Sequence, residues 1–433
     1  MSFSVRFFTL SRTLLAGVCC ASVGAGCSNQ SFAPSLVPQT PAVEPGRTIV
    51  RHIIAASSSY QVLYNFSGNP DGAGPLYMNL IDVNGTLYGT TYGGGIYDGV
   101  GTVFSMSTSG SEQVLHSFGA AGDGIKPYAG VIDVKGTLYG TTYGGGPYPG
   151  QGTVFSITTS GEEHVLHTFC TGSGTAYCPD GAKPIASLID VNGTLYGTTS
   201  SGGLSEYGGT VFSISTTGKH FRVLHAFNGF PDGRFPFASL IDVNGTLYGS
   251  TTGGGNPYIN GGTVFSISTT GKGFRVLHTF GGYPDAQAPE ASFIYVNGTL
   301  YGTTPVGGAY QLSTGRGGTV FSFTTAGKHY RVRHSFGAGR DGYSPDANLT
   351  DVNGVLYGTT AAGGTYGTSY GNGGTVFSIS TAGTHYHVRH SFNANVYDGR
   401  GPSGGLIDVN GILYGATFAG GTKQNGTVFA LRP

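Results

Sequence analysis

Residues 240–255 read LIDVNGTLYGSTTGGG, and close copies of this phrase occur seven times along the 433-residue chain. The tyrosine of the phrase recurs at steps of 51, 57, 52, 53, 56 and 57 residues, as Tyr88, Tyr139, Tyr196, Tyr248, Tyr301, Tyr357 and Tyr414. A second phrase, GTVF, follows each copy and ends at Phe104, Phe155, Phe212, Phe265, Phe321, Phe377 and Phe429. A repeat of this period predicts one large repeat domain rather than several unrelated domains.

Each copy contains four runs with the composition of β-strands, which in the fourth copy are residues 238–243, 246–251, 263–268 and 274–280. Asn244-Gly245 separates the first two runs, and this pair favours a type I′ hairpin turn because both residues accept positive φ. The same turn recurs at Asn84, Asn192, Asn297, Asn353 and Asn410, with Lys135-Gly136 as the single variant. Every copy is therefore predicted to be a four-stranded antiparallel meander.

The strand runs are apolar on successive residues, as in TVFSI, which indicates that both faces of each sheet are covered. Radial stacking of small sheets covers both faces, so we predict an all-β fold, a seven-bladed β-propeller. The repeated tyrosine is expected to pack between blades, and the glycine after it to make room for the adjacent sheet. The chain opens with a fourth-strand phrase at 60–66 and closes with a third-strand phrase at 426–431, so the N-terminal strand should complete the last blade. An open solenoid would need no such completion.

Phrases such as LIDVNGTLYGTTYGGG followed by GTVFSIS resemble the Gloeo/Verruco (GloVer) tandem repeat of bacterial extracellular proteins. The resemblance covers about residues 60–433. It implies an exported and anchored protein, and it implies neither a general biochemical activity nor a catalytic residue.

The N-terminal residues 1–26 are predicted to be a signal peptide, with positive charge at Arg6 and Arg12 ahead of an apolar stretch. Small residues at 24–26 directly precede Cys27, so the segment resembles a bacterial lipoprotein signal in which Cys27 is acylated. Simple secretion of the cleaved chain is the alternative. Residues 27–58, which contain four prolines, are predicted to be a tether, and 59–433 to be the propeller. The expected location is the outer membrane or cell surface, or the medium if the chain is secreted.

Two cysteines, Cys170 and Cys178, flank a short loop and are predicted to form a disulfide in an oxidising compartment. Metal binding by this pair is the weaker interpretation, because no His or carboxylate lies between them.

Charge is sparse and balanced, with 21 basic and 21 acidic residues, so nucleic acid is not an expected partner. Neither an H-E-x-x-H motif nor a P-loop occurs in the sequence. We identify no catalytic residue, no cofactor and no metal site, and we expect a monomer.

One aspartate per copy precedes a proline by four residues, at Asp71, Asp123, Asp180, Asp232, Asp285, Asp341 and Asp398. A ring of carboxylates could collect cations, but a group present in every copy is better explained as a turn device that accepts backbone N–H bonds. Histidine also repeats, at His116, His167, His225, His278, His334 and His390, with Tyr64 in the seventh place, and is expected to be structural. The only local cluster, around His385, His387, Arg389 and His390, could offer weak surface metal affinity.

Variation between copies is concentrated in the loop between the second and third strands. Six of these loops carry a tyrosine, at Tyr97, Tyr148, Tyr207, Tyr258, Tyr310 and Tyr366. In a meander these loops share one face with the Asp-Pro connections, and weakly charged, tyrosine-bearing loops suit glycans or protein surfaces. The alternative is that each tyrosine folds back onto its own loop.

These patterns favour an exported, lipid-anchored binding or interaction module at the cell envelope. Two alternatives stay open: a carbohydrate-active lyase or hydrolase on a propeller scaffold, or a purely structural envelope component. The enzyme would need unrepeated acid/base residues near the axis, such as Glu206, Glu290 or Arg316.

Overall fold

The computed structural model describes residues 59–433 except 98, 148–149, 172–177, 283, 311–316, 368–372 and 394–396. The predicted signal peptide, Cys27 and the rest of the predicted tether lie outside the described residues. The described part of the chain is built of strands and connections. No helix within it is long and apolar enough to cross a membrane.

The strands follow the repeat. The first half of the chain holds β1 (Tyr60–Asn65), β2 (Ile81–Val83), β3 (Thr86–Thr91), β4 (Thr102–Ser107), β5 (Glu112–Ser117), β6 (Gly124–Ile125), β7 (Ile132–Val134), β8 (Thr137–Thr142), β9 (Gly144–Gly145), β10 (Thr153–Thr158), β11 (Glu163–Thr168), β12 (Ile189–Val191), β13 (Thr194–Thr199), β14 (Thr210–Ser215) and β15 (Arg222–Ala226).

The second half holds β16 (Ile241–Val243), β17 (Thr246–Thr251), β18 (Thr263–Ser268), β19 (Arg275–Thr279), β20 (Ala286–Gln287), β21 (Ile294–Val296), β22 (Thr299–Thr304), β23 (Val306–Gly307), β24 (Thr319–Thr324), β25 (Arg331–Ser335), β26 (Thr350–Val352), β27 (Val355–Thr360), β28 (Thr375–Ser380), β29 (His387–Ser391), β30 (Gly399–Arg400), β31 (Ile407–Val409), β32 (Ile412–Thr417), β33 (Ala419–Gly420) and β34 (Thr427–Leu431).

Seven four-stranded antiparallel sheets form the blades of a seven-bladed β-propeller, as the repeat predicted. In chain order, blades 1 to 6 are β2-β3-β4-β5, β7-β8-β10-β11, β12-β13-β14-β15, β16-β17-β18-β19, β21-β22-β24-β25 and β26-β27-β28-β29. The short first strand of each blade lies innermost, and the first strands of most neighbouring blades touch, including β31 against β2.

Blade 7 is completed by the start of the chain. Its order is β31-β32-β34-β1, and β1 runs antiparallel to β34 with Tyr60 opposite Leu431 and Asn65 opposite Thr427. The predicted closure is therefore confirmed. It gives the last blade its fourth strand and covers the edge of β34, so that β1 takes the outer position that β5 has in blade 1.

The hydrophobic core is divided into seven clusters, most of which lie between two adjacent blades. In one of them Tyr196 of blade 3 packs with Leu247 and Phe265 of blade 4, and all three are buried. The hydroxyl of Tyr196 also donates to the carbonyl of Thr269 in blade 4, at 3.2 Å. The repeated tyrosine thus links neighbouring blades, as expected.

The glycine after that tyrosine has a different role from the one we expected. A Cβ on Gly249 would lie 2.5 Å from the ring of Phe265 and 2.8 Å from Leu240, both in its own blade. Phe265 is its direct cross-strand partner. Gly249 therefore makes room for an aromatic ring of the same sheet and not for the adjacent sheet.

The tight turns agree with the sequence, whereas one strand is shorter than expected. Asn244 has φ of 54° and Gly245 has φ of 81°, as a type I′ turn requires. The first strand of blade 4 begins only at Ile241, because Ala238 and Ser239 belong to the segment that lines the axis. The carbonyl of Ala238 instead accepts a bond from Thr198 of blade 3.

Two kinds of loop meet on one face of the propeller. β6, in the connection between blades 1 and 2, pairs with β9, in the loop between the second and third strands of blade 2. Blades 5 and 7 repeat this pairing with β20-β23 and β30-β33. We call this side the loop face, and the Asn-Gly turns lie on the opposite side.

Candidate functional site

The seven aspartates before the prolines form what we call the outer ring. In a typical member, the Asp123 carboxylate accepts the backbone N–H groups of Gly119 at 3.1 Å and Gly124 at 2.6 Å. Asp71 and Asp398 hold their connections in the same way. The predicted turn role is therefore confirmed for these members, whereas Asp232 binds His225 and its Oδ1 atom is buried without a hydrogen-bond partner.

Each repeated histidine is the partner of an outer-ring aspartate. His225 Nε2 lies 2.9 Å from Asp232, and its ring stacks on Phe274 of the next blade at a centroid distance of 3.7 Å. The same pairing joins His167 to Asp180 and His390 to Asp398. Each of these histidines, which lie on the outer strand of a blade, therefore binds the aspartate of the connection that follows. This is the structural role we expected.

Two interfaces depart from this pattern. In most of the repeats an aromatic residue stacks on the histidine of the preceding blade, but blades 1 and 2 carry Glu112 and Glu163 at that position. The Oε1 atoms of both glutamates are buried without a hydrogen-bond partner. Burial raises the pKa of Glu112 to about 7, and burial together with the charge of Asp123 raises the pKa of Glu163 to about 7.

Glu163 completes a group with His116 and Asp123 in which one ligand atom from each residue lies within 4.8 Å of the others. The cluster suggested around His385 is not assembled. His390 binds Asp398, Arg389 donates to Ser378, and His385 contacts Thr384.

The same seven connections also supply the walls of a central pocket. Just after each proline, one residue per blade reaches the axis at the loop-face end of the first strand. We call these residues the axial ring: Tyr77, Tyr128, Ile185, Phe237, Glu290, Asp346 and Ser403. Blade 1 has one extra residue, Leu76, and Tyr77 takes positive φ there.

The axial ring surrounds a cavity of about 340 Å³, which is within the range of small-molecule sites. Blades 1 to 4 contribute aromatic and aliphatic side chains, whereas blades 5 to 7 contribute two carboxyl groups and a hydroxyl. Asn79, Ser187, Ser239, Ser292 and Asn348 form a small polar floor. Bonds between blades, such as Asn348 Oδ1 accepting Ser292 N–H at 2.8 Å, hold this floor in place.

Glu290 and Asp346 are the chemically unusual part of the pocket. Burial raises the pKa of Glu290 from its ordinary 4.5 to about 7, although a long hydrogen bond of 3.5 Å from the Tyr77 hydroxyl acts in the opposite direction. Burial and then the charge of Glu290 raise the pKa of Asp346 well above its usual range. The Oδ1 atom of Asp346 is buried without a hydrogen-bond partner.

A family model matches almost the whole propeller region. The Gloeobacter/Verrucomicrobia repeat matches residues 45–179, 173–315 and 309–433. The chain belongs to this repeat family. No match is found among curated proteins.

Solved structures share the fold of this Gloeobacter/Verrucomicrobia repeat protein at low identity. An oligogalacturonate lyase in complex with manganese is 10% identical, with a TM-score of 0.52 over 84% of this chain and 90% of the lyase chain. An ancestral GH74 enzyme is 11% identical, with a TM-score of 0.52 over 84% of this chain and 48% of its own. At such identities the likeness concerns the fold alone.

Most tyrosines predicted for the ligand face are exposed in the repeat protein. The exposed fraction is 44% for Tyr97 and 94% for Tyr258. The other described members are Tyr207, Tyr310 and Tyr366, also exposed. Tyr148 lies outside the described residues.

The other predicted site residues are dispersed. Cys170 and Cys178 are joined in a disulfide. Among the unrepeated residues, Glu290 lines the pocket, Glu206 is exposed on a loop of blade 3, and Arg316 lies outside the described residues.

The axial ring is the feature that the sequence analysis missed, apart from Glu290. A signal was present, because the residue after each proline changes from copy to copy while its neighbours repeat. The variation at this single position is less conspicuous than that of the loops between the second and third strands, which differ in length as well as in sequence.

Proposed function

We propose that this repeat protein is an exported, lipid-anchored binding module whose ligand enters the axial pocket from the loop face. Support for binding comes from a contrast within the connections. The outer ring repeats the same residue for structural reasons, whereas the axial ring has six residue types in seven blades. If the axial-ring residues served only to join the blades, the same residue type could occupy the position in every blade.

The observation that carries the proposal is the carboxyl group of Asp346. A buried oxygen without a hydrogen-bond partner costs free energy that the fold alone does not return. A ligand that brings a donor to this group, while its other side packs on Tyr128 and Phe237, would recover that cost. Small-molecule sites are commonly apolar pockets with a few such polar groups.

Partners are expected to be glycans or protein surfaces that present a terminal group to the pocket. The exposed tyrosines of the loop face, such as Tyr97 and Tyr258, would then contact the rest of the partner. Tyrosine suits this role because it offers a flat apolar surface and one hydroxyl.

Binding can be measured with the secreted Cys27→Ala variant on a glycan array and in pull-downs from envelope extracts. The proposal expects a retained ligand whose binding is lost in Phe237→Ala and weakened when Tyr97 and Tyr258 are both truncated to alanine. Glu206→Gln, an exposed carboxyl outside the pocket, is the control. Unchanged binding in the Phe237 variant would exclude the pocket as the site.

Export and anchoring are tested separately. The full chain expressed in a bacterial host should fractionate with membranes, and mass spectrometry should find the mature N-terminus at an acylated Cys27. Cys27→Ala should release the protein. A wild-type chain that stays in the cytoplasm would refute this part of the proposal.

A second candidate function, a carbohydrate lyase or hydrolase, is favoured by the neighbouring carboxyls of Glu290 and Asp346. Groups that hold protons near neutral pH are suited to general acid/base catalysis. Release of reducing or unsaturated ends from a polysaccharide panel would support it. That activity should disappear in both Glu290→Gln and Asp346→Asn and persist in Glu206→Gln.

A further inference from the structure

The axial pocket contains acidic groups and, among its described lining residues, no basic residue to pair with them. Two carboxyl groups, Glu290 and Asp346, line its polar half, and no Lys, Arg or His is among its described lining residues. By contrast, Asp398 in the outer ring is paired with His390 and Tyr60. The pocket therefore lacks the group that would neutralise it.

The opposite half of the pocket is aromatic. Tyr77, Tyr128 and Phe237 line it together with Ile185. The Tyr128 ring is held against Tyr92 and Tyr143, at centroid distances of 4.9 and 5.1 Å. Aromatic faces attract organic cations through the negative charge above the ring, and they also pack against the apolar body of such a ligand.

Resting on the proposed function, we propose that the group bound in the axial pocket is an organic cation. The ligand class is a compact amine or quaternary ammonium on an apolar or sugar-like body. Its cationic group lies beside Glu290 and Asp346, and its apolar side packs on Tyr128 and Phe237.

Two other ligand classes fit the pocket less well. A neutral polyol could donate to Asp346, but it would leave two adjacent carboxyls without an opposite charge. A bare divalent cation would suit the carboxyl oxygens, but it would make no use of the aromatic half, and oxygen sites for such ions need several converging ligands.

The test uses probes that differ only in charge. Calorimetric titration of the Cys27→Ala protein compares choline with its neutral isostere 3,3-dimethyl-1-butanol, and glucosamine with glucose. At least one cation should bind about tenfold more tightly than its neutral counterpart. Glu290→Gln/Asp346→Asn should remove this preference, whereas Glu206→Gln should keep it.

A second readout is pH. The titratable groups that line the pocket are Glu290, Asp346, Tyr77 and Tyr128. A cation is held by the ionised carboxyls, so its affinity should rise from pH 5 to pH 8, and the affinity of the neutral isostere should not. The double variant should lose the pH dependence.

The outcomes separate this inference from the proposed function. Equal binding of charged and neutral probes, binding of neutral probes alone, or no binding of either cation at 10 mM would each overturn the organic cation. So would tight binding of Ca²⁺ or Mn²⁺ alone that displaces the amines. A ligand found on the array that needs Phe237 but carries no cation would leave the proposed function intact and refute only this inference.

Discussion

The outer ring and the axial ring are supplied by the same seven connections, only about five residues apart, yet they differ in almost every respect. Asp341 and Asp346 lie in one connection. The first is satisfied by His334 and a backbone N–H, whereas the second has a buried oxygen with no partner. Asp232 is the outer-ring member that shares this feature, because its Oδ1 atom is also buried without a partner. In this repeat protein the uniform position supports the fold, and function is to be sought at the position that varies between blades.

The largest expected effect concerns the outer ring. Asp398 accepts bonds from His390, Gly399 N–H and the hydroxyl of Tyr60, which belongs to the closing strand β1. Although burial raises the pKa of Asp398, these bonds bring it below its usual value. Asp398→Ala leaves buried donors unpaired and should lower the free energy of unfolding by about 4 kcal/mol, measured by urea denaturation.

Asp346→Asn is the matched control in the axial ring. It removes no hydrogen bond that the structure shows for the side chain, so its free energy of unfolding should stay within about 0.5 kcal/mol of wild type. If Asp346→Asn were as destabilising as Asp398→Ala, the functional distinction between the two rings would be wrong.

The interface tyrosines should come next. Tyr248 is buried between blades 4 and 5, and its hydroxyl donates to the carbonyl of Thr325. Tyr248→Ala should cost about 3 kcal/mol, and Tyr248→Phe about 1 kcal/mol, by the same denaturation measurement. Tyr258→Ala, at a fully exposed loop position, should change nothing measurable, and an equal loss there would contradict the assignment of the core.

Stability should also depend on pH through Glu112, Glu163 and Glu290. Each has a pKa of about 7 against an ordinary value of 4.5, so the folded protein binds these protons more tightly than the unfolded chain. Their stabilising effect is complete below about pH 4.5 and is lost as the pH rises through 7. The melting temperature should therefore fall between pH 5 and pH 8.

Replacing the three glutamates by glutamine should flatten this decline, by about 1 kcal/mol per residue once solvent screening is allowed for. A profile that keeps its slope in the triple variant would assign the pH dependence to other groups.

The smallest effect concerns Glu163, which replaces an aromatic residue that stacks on histidine in most other blades. Glu163→Phe gives the interface of blades 1 and 2 the ring that stacks on histidine at the interface of blades 3 and 4. Stacking on His116 and removal of the unpartnered carboxyl oxygen should stabilise the protein by about 1 kcal/mol. Glu163→Gln, which adds no ring, should give less. Destabilisation by phenylalanine would show that Glu163 has a role that the repeat does not explain.

Much of the fold could be read from local sequence. The Asn-Gly turns and the apolar strand runs predicted the four-stranded blade, and the number of repeats predicted seven of them. The fourth-strand phrase at the start of the chain and the third-strand phrase at its end predicted the closure, in which Tyr60 lies opposite Leu431. The strand 238–243 was predicted too long because Ala238 and Ser239 have strand-like composition. In the structure the carbonyl of Ala238 accepts a bond from Thr198 of the preceding blade, and Ser239 lines the axial pocket.

The site was less accessible to sequence reasoning. Glu290 was recognised as an unrepeated residue, but the other axial-ring residues lie between 53 and 213 residues away in the chain and meet only when the ring closes. The pairing of each histidine with an aspartate, and the substitution of Glu163 for an aromatic ring, likewise join residues of different strands or blades.

By itself the sequence determined the repeating unit, because turns and strand patterns depend on neighbours along the chain. Only the tertiary structure decided which residues lie at the axis, where seven residues that are distant in the chain line one pocket. It also decided which carboxyl groups are buried and lack hydrogen-bond partners. Burial and the distances between charged groups depend on the folded arrangement, so they cannot be read from the order of residues along the chain.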